Sequence, residues 1–164
     1  MAVAAALLLA DAAQAATVPA AKQAADFQAL FKEMVETDSS VDTGSCTAVT
    51  EKLAARMKAA GFPAENIHLF APPERPKAGN IVVVFPGRDP KLKAVLMSGH
   101  VDVVTAKRAD WVRDPYVLVE EGGYYYARGV ADMKGQSAIY ADNLLRYNAE
   151  GYKPLRTIKM ALTC

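Results

Sequence analysis

A chain of 164 residues, net charge +1 and roughly half apolar, has material for one core of ordinary domain size. No run of Lys or Arg appears, so neither nucleic acid nor an anionic membrane surface is indicated as a partner. Cys46 and Cys164 form no Cys-X-X-Cys pattern, which argues against a zinc knuckle and a redox dithiol and leaves a disulfide between them open.

Ala2 to Ala10 is an apolar block of Ala, Val and Leu, and Ala13-Gln14-Ala15 fits the small-X-small rule of signal peptidase. Residues 1–15 therefore read as a signal peptide, which implies export to the periplasm or beyond the cell. The block is shorter than the about 20 residues that span a bilayer. No Lys or Arg precedes it, and a plain alanine-rich leader in a cytoplasmic protein is the alternative. Residues 16–26 read as a linker, and the folded domain is expected over 27–164.

Phe27, Leu30, Phe31, Met34 and Val35 recur at helical spacing, predicting a helix that ends near Thr37. Asp38 to Ser45 is made of turn formers that offer several caps. Val49, Leu53, Met57 and Ala60 form the stripe of a second helix closed by Gly61. Phe62 to Phe70 reads as extended, with His68 on the outward side of Ile67 and Leu69 and so a poor ligand candidate. Ala71 to Gly79 is a proline-rich loop within the domain. Asn80–Phe85 and Lys93–Ser98 are apolar runs joined by a turn-rich Pro86–Pro90, predicting an antiparallel pair. Tyr116–Glu120 and Tyr124–Ala127 flank Gly122-Gly123, a hairpin signal, and the alternating tyrosines are expected to pack across its strands. Lys134 to Asn148 reads as a third helix closed by Gly151, and Thr157 to Thr163 as a strand. Strand, helix and strand in succession make a crossover, so the expected class is α/β, a mixed and largely parallel sheet flanked by helices. The final strand stops without a turn or polar tail, which reads as a cut chain.

The chemistry concentrates in two stretches. The charge-free run Val95-Leu-Met-Ser-Gly reads as a buried strand that delivers His100 and Asp102, two apart and hence on one face. Imidazole is the commonest metal ligand, and a carboxylate beside it can hold its second nitrogen; the plain alternative is a satisfied histidine with a surface aspartate. The second stretch is Ala127-Arg-Gly-Val-Ala-Asp-Met-Lys-Gly135. Its Asp132 precedes a helix, where ligands gather in α/β sheets. A carboxylate there can bridge two cations, although an aspartate before a helix also reads as a cap.

Taken together, Ser98-Gly-His-Val-Asp-Val-Val104, Trp111, Asp114-Pro115, Gly122 or Gly123, and Ala127 to Gly135 resemble the di-zinc metallopeptidases related to aminoacylase, glutamate carboxypeptidase, acetylornithine deacetylase and succinyl-diaminopimelate desuccinylase. The resemblance runs from about Phe27 to Cys164. It implies the catalytic domain of a zinc-dependent exopeptidase in which His100 binds one zinc, Asp132 bridges two, and Asp102 supports His100 as the catalytic aspartate. It also implies a cis peptide from Asp132 to Met133. Zinc is the family's usual metal; histidine and carboxylate donors suit cobalt and manganese too. The implied substrate is a short peptide or N-acyl amino acid with a free carboxylate, and export favours a peptidase such as a carboxypeptidase or dipeptidase. Members of the family continue past the strand equivalent to Ile158–Thr163 with a general-base acid, further ligands and a lid domain through which they form homodimers. None of these lies before Cys164, so the stretch given is expected to hold zinc weakly and to hydrolyse nothing by itself. Two other classes stay open: a non-catalytic homologue that keeps the fold for binding, and a cysteine hydrolase that pairs Cys46 with His100.

Overall fold

The computed structural model describes residues 19–164. The expected signal peptide falls outside them. Three helices, α1 (Ala20–Glu36), α2 (Cys46–Ala59) and α3 (Gly135–Ala149), accompany a four-stranded sheet and a separate hairpin. The sheet is built from β1 (Ile67–Phe70), β2 (Asn80–Phe85), β3 (Val95–His100) and β6 (Ile158–Thr163); the hairpin is β4 (Val119–Glu121) and β5 (Tyr124–Tyr126). No helix among the described residues is long and apolar enough to cross a membrane.

The helices form where the apolar stripes predicted them. Leu30, Phe31, Met34 and Val35 are the buried face of α1, and Val49, Leu53 and Met57 that of α2. Ser45 starts α2 by accepting a hydrogen bond from the Ala48 N–H at 3.2 Å, which satisfies one of the four N–H groups a helix leaves open. One correction concerns the expected linker over 16–26. Helix α1 already begins at Ala20, because the alanine-rich run there carries high helix propensity even without an apolar stripe.

The strand order is β1-β2-β6-β3. β2 runs antiparallel to β1 and β6, with Val83 opposite Ile67 and Met160, while β3 runs parallel to β6, with Met97 opposite Met160 and His100 opposite Thr163. The mixed α/β sheet is as expected, with a smaller parallel share. The predicted β2–β3 hairpin is replaced by a wider connection. Gly87 and Arg88 donate to Thr157 Oγ1 and the Pro154 carbonyl, so the connector lies along the approach to β6. That places β6 between β2 and β3, and β3-α3-β6 forms the crossover.

Ile81, Val83, Phe85, Met160 and Leu162 share one sheet face and pack against α2 and α3, with α1 behind α3, in one continuous core. Each large side chain buried there contributes roughly 1.5–3 kcal/mol. β3 differs from the expectation of a buried strand. It is the sheet edge among the described residues, with Val95 and Leu96 45% and 62% exposed. Its lack of charge pointed to burial, but a strand paired on one side only leaves half of its surroundings open.

The hairpin turns on Gly122 and Gly123, both at positive φ as the dipeptide predicted. Across the ladder its tyrosines face Val119, Glu120 and Glu121, and two of them also reach beyond the hairpin. Tyr125 meets Phe31 of α1 edge to face at 5.3 Å, whereas Tyr126 lies under the Arg113 guanidinium at 4.8 Å.

Candidate metal centre

β3 ends at His100, but the alternation of the strand persists beyond it. Val101 and Val103 are buried pegs, leaving His100 and Asp102 on the open side. Val101 donates to the Thr163 carbonyl at 2.9 Å, and its own carbonyl accepts from Ser39 Oγ at 2.5 Å. Val103 donates to the Ser39 carbonyl. The segment is thus laced to β6 on one side and to the loop after α1 on the other.

The second stretch arrives through Gly129 at φ 84°, a left-handed conformation that L side chains avoid. A Cβ there would also lie 2.6 Å from Val103 Cγ1, so the two functional stretches touch at this glycine. A wide turn over Val130–Lys134 leads into α3. Within it the Asp132–Met133 peptide is cis, as the resemblance implied. Asp132 is extended and its side chain is 89% exposed. It caps no helix, since α3 starts without a side-chain cap.

His100 Nδ1 lies 3.2 Å from both Asp102 Oδ1 and the Asp102 carbonyl, and His100 Nε2 lies 3.2 Å from Asp132 Oδ1. The tautomer follows from the partners. Two acceptors face Nδ1, so the tautomer that satisfies them places the proton on Nδ1 and leaves Nε2 as an acceptor toward the Asp132 carboxylate. In that tautomer Nε2 and Asp132 Oδ1 converge at 3.2 Å as two lone-pair donors that one cation could share. Two zinc bonds of ~2.0–2.2 Å at the tetrahedral angle set neighbouring donors about 3.3–3.6 Å apart, so this pair, at 3.2 Å, lies close to the separation of two ligands of one ion. A cavity of about 310 Å³ opens here, lined by His100, Asp102, Arg128 and Asp132 among others. No cluster of three or more His, Cys, Asp or Glu able to hold a metal exists among the described residues. A larger cavity of about 610 Å³ between the three helices contains neither histidine.

Behind the pair lies Lys134, fully buried, its Nζ donating to the Thr37 carbonyl at 2.8 Å. Burial pushes its ammonium down to about 8, partly opposed by the charges of Asp38 and Asp102. Burial pushes the Asp38 carboxyl up, but donors from Thr43 and Ser40 and the charge of Lys134 outweigh it and hold the group below its ordinary value. Lys134 therefore ties the turn carrying Asp132 to the end of α1. In the sequence Asp38 and Ser39 read only as turn formers and Lys134 only as part of the motif and the start of the third helix; a lysine beside a charged motif reads as surface until its burial is seen.

His68 is exposed on β1, away from the site, as predicted. Cys46 is not a nucleophile paired with His100, because its sulfur is bonded to Cys164 across 118 residues. The disulfide left open by the sequence joins the start of α2 to the end of β6.

Residues 96–164 match the family model described as Peptidase family M20/M25/M40. Aminoacylase-1A of Rattus norvegicus is 39% identical over 80 residues, 48% of this chain and 20% of the relative. Succinyl-diaminopimelate desuccinylase of Alkalilimnicola ehrlichii is 31% identical over 112 residues, 68% of this chain and 28% of the relative. Among solved structures, human carnosine dipeptidase 1 superposes with a TM-score of 0.70 at 24% identity, covering 87% of this chain and 32% of that one. The chain thus spans from a fifth to about a third of the length of these proteins. The motif match and the shared fold agree with the site geometry, and over residues 96–164 the chain is similar to Peptidase family M20/M25/M40.

Proposed function

We propose that the protein carrying this chain is a metal-dependent hydrolase of the amide bond in short peptides or N-acyl amino acids. The observation that carries the reading is the facing of His100 Nε2 and Asp132 Oδ1 at 3.2 Å with Asp102 on the far nitrogen. The names of the relatives, an aminoacylase, a desuccinylase and a dipeptidase, support amide substrates of this size. His100 and Asp132 would hold zinc, with Asp132 free to reach a second ion through its other oxygen. Zinc, when bound, would polarise an amide carbonyl and acidify a water to a pKa of about 7. Cobalt and manganese suit the same donors. Asp102 keeps the His100 proton on Nδ1 and the ring aimed at the cavity. The disulfide supports export, since such bonds persist in oxidising compartments.

The test uses the protein as its gene encodes it, supplied with zinc and a panel of N-acetyl amino acids and dipeptides. Hydrolysis should fall to background in His100→Ala and about 10–100-fold in Asp102→Asn. Hydrolysis that survives a chelator or His100→Ala would sink the reading. Equilibrium dialysis of the 164-residue chain alone should show only weak zinc binding, because two converging donors are fewer than the three a catalytic zinc uses.

A further inference from the structure

The cavity of about 610 Å³ between α1, α2 and α3 shares no lining residue with the metal centre. Alanines make the room. Ala29 of α1, Ala59 and Ala60 at the end of α2, and Ala149 of α3 line it together with Leu145, and methyl groups are too short to fill the space where three helices meet. Charged side chains line it as well, and most have partners. Lys22 pairs with Asp26 and Arg56 with Glu33, while Arg146 meets Glu150 at 3.3 Å and Asn143 at the same distance. Asp142 is the exception: among the described residues no ion pair and no hydrogen bond reaches its carboxylate.

Asp142 is half-buried on the α3 wall, one turn before Arg146. Burial pushes its carboxyl up; the charge of Arg146 opposes this and that of Asp26 adds to it. A carboxyl raised above its unfolded pKa weakens the fold once it ionises, so at neutral pH Asp142 is a charge the fold does not satisfy. Arg146 gives little relief, because its guanidinium is engaged by Glu150 and Asn143. The missing partner is a cation from outside, and the alanine floor beside the carboxylate calls for an apolar body behind that cation. A primary ammonium meets both demands, with three N–H donors on a compact charge at the end of an apolar stem. The volume lies within the ~300–1,000 Å³ of small-ligand sites. We propose that this cavity is a second binding site, for a primary amine carried on an apolar chain or ring, with Asp142 as its counter-ion. The proposal stands apart from the amide-hydrolase reading.

The experiment uses the protein as its gene encodes it and compares, by saturation-transfer NMR near neutral pH, the affinities of 2-phenylethylamine and 2-phenylethanol, which share a ring and differ in the charged head. The amine should bind about tenfold more tightly, the size expected of one charge-assisted hydrogen bond. Asp142→Asn should abolish this preference without lowering the melting temperature, because it removes an unsatisfied charge, and Asp142→Glu should keep part of it. His100→Ala should leave the preference intact, which separates the cavity from coordination of the amine at the metal centre. Equal binding of the two probes overturns the proposal, as does binding of neither because another part of the protein or a second copy fills the cavity. So does a preference that survives in Asp142→Asn or one that disappears in His100→Ala. Should Asp142→Asn fail to fold, Ala149→Leu decides: a larger side chain at that exposed position narrows the cavity and should weaken the amine, and unchanged affinity overturns the proposal.

Discussion

The helix-covered side of the sheet and the rim that carries the site are held by different physics. On the first, Leu30, Leu53, Met57, Ile81, Met160 and Leu162 interlock in one apolar cluster, and no single contact decides the arrangement. On the second, the fastenings are few and individually specified: Ser39 on Val101, Gly129 against Val103, Lys134 on the Thr37 carbonyl, and Cys46 bonded to Cys164. Area tolerates change and single fastenings do not. The rim must also stay open to solvent, so it cannot be stabilised by covering it.

The largest effect should come from cutting the fastening that joins the two regions. Cys46→Ser opens a 118-residue loop and should cost about 3–5 kcal/mol in chemical denaturation. Hydrogen exchange should then rise first in residues 38–45 and 100–105 while α2 and β2 stay protected; uniform loosening would mean that the two regions are one cooperative unit. Gly129→Ala comes next, at about 2–3 kcal/mol, because a left-handed residue gains a Cβ against Val103. Its cost should fall on the rim, so zinc or cobalt affinity should drop more than the melting temperature suggests. The smallest is Asp38→Asn. The Asp38 carboxyl sits below its unfolded pKa, so its stabilisation is present above about pH 4 and disappears as pH falls through the lower folded value. Partly exposed, it should be worth under ~1 kcal/mol, seen as a difference between wild type and variant at pH 7 that closes by pH 2.

The same contrast separates what could be read in the sequence from what could not. Apolar stripes at helical spacing mark surfaces that must be buried somewhere, and α1, α2 and α3 follow them. His100, Asp102 and Asp132 stood out as candidates because metal chemistry restricts residue types, and the structure brings all three to one cavity. Strand pairing was not legible. A turn-rich connector between β2 and β3 looks the same whether it closes a hairpin or makes room for β6. The edge position of β3 escaped for a related reason, since an apolar run records that burial is favourable and not which neighbour supplies it. Lys134 was hidden because a cation's burial depends on residues nearly a hundred positions away.

The bond between Cys46 and Cys164 turns most of the chain into a covalent ring. Every segment that shapes the cavity, from His100 to Asp132, lies inside that ring, as does the exposed proline-rich loop of residues 71–79. A protease that nicks any of these loops leaves one particle of unchanged mass plus a water, with both new ends still tethered. A nick at the rim of the cavity is therefore invisible on a non-reducing gel and appears as separate pieces only after reduction.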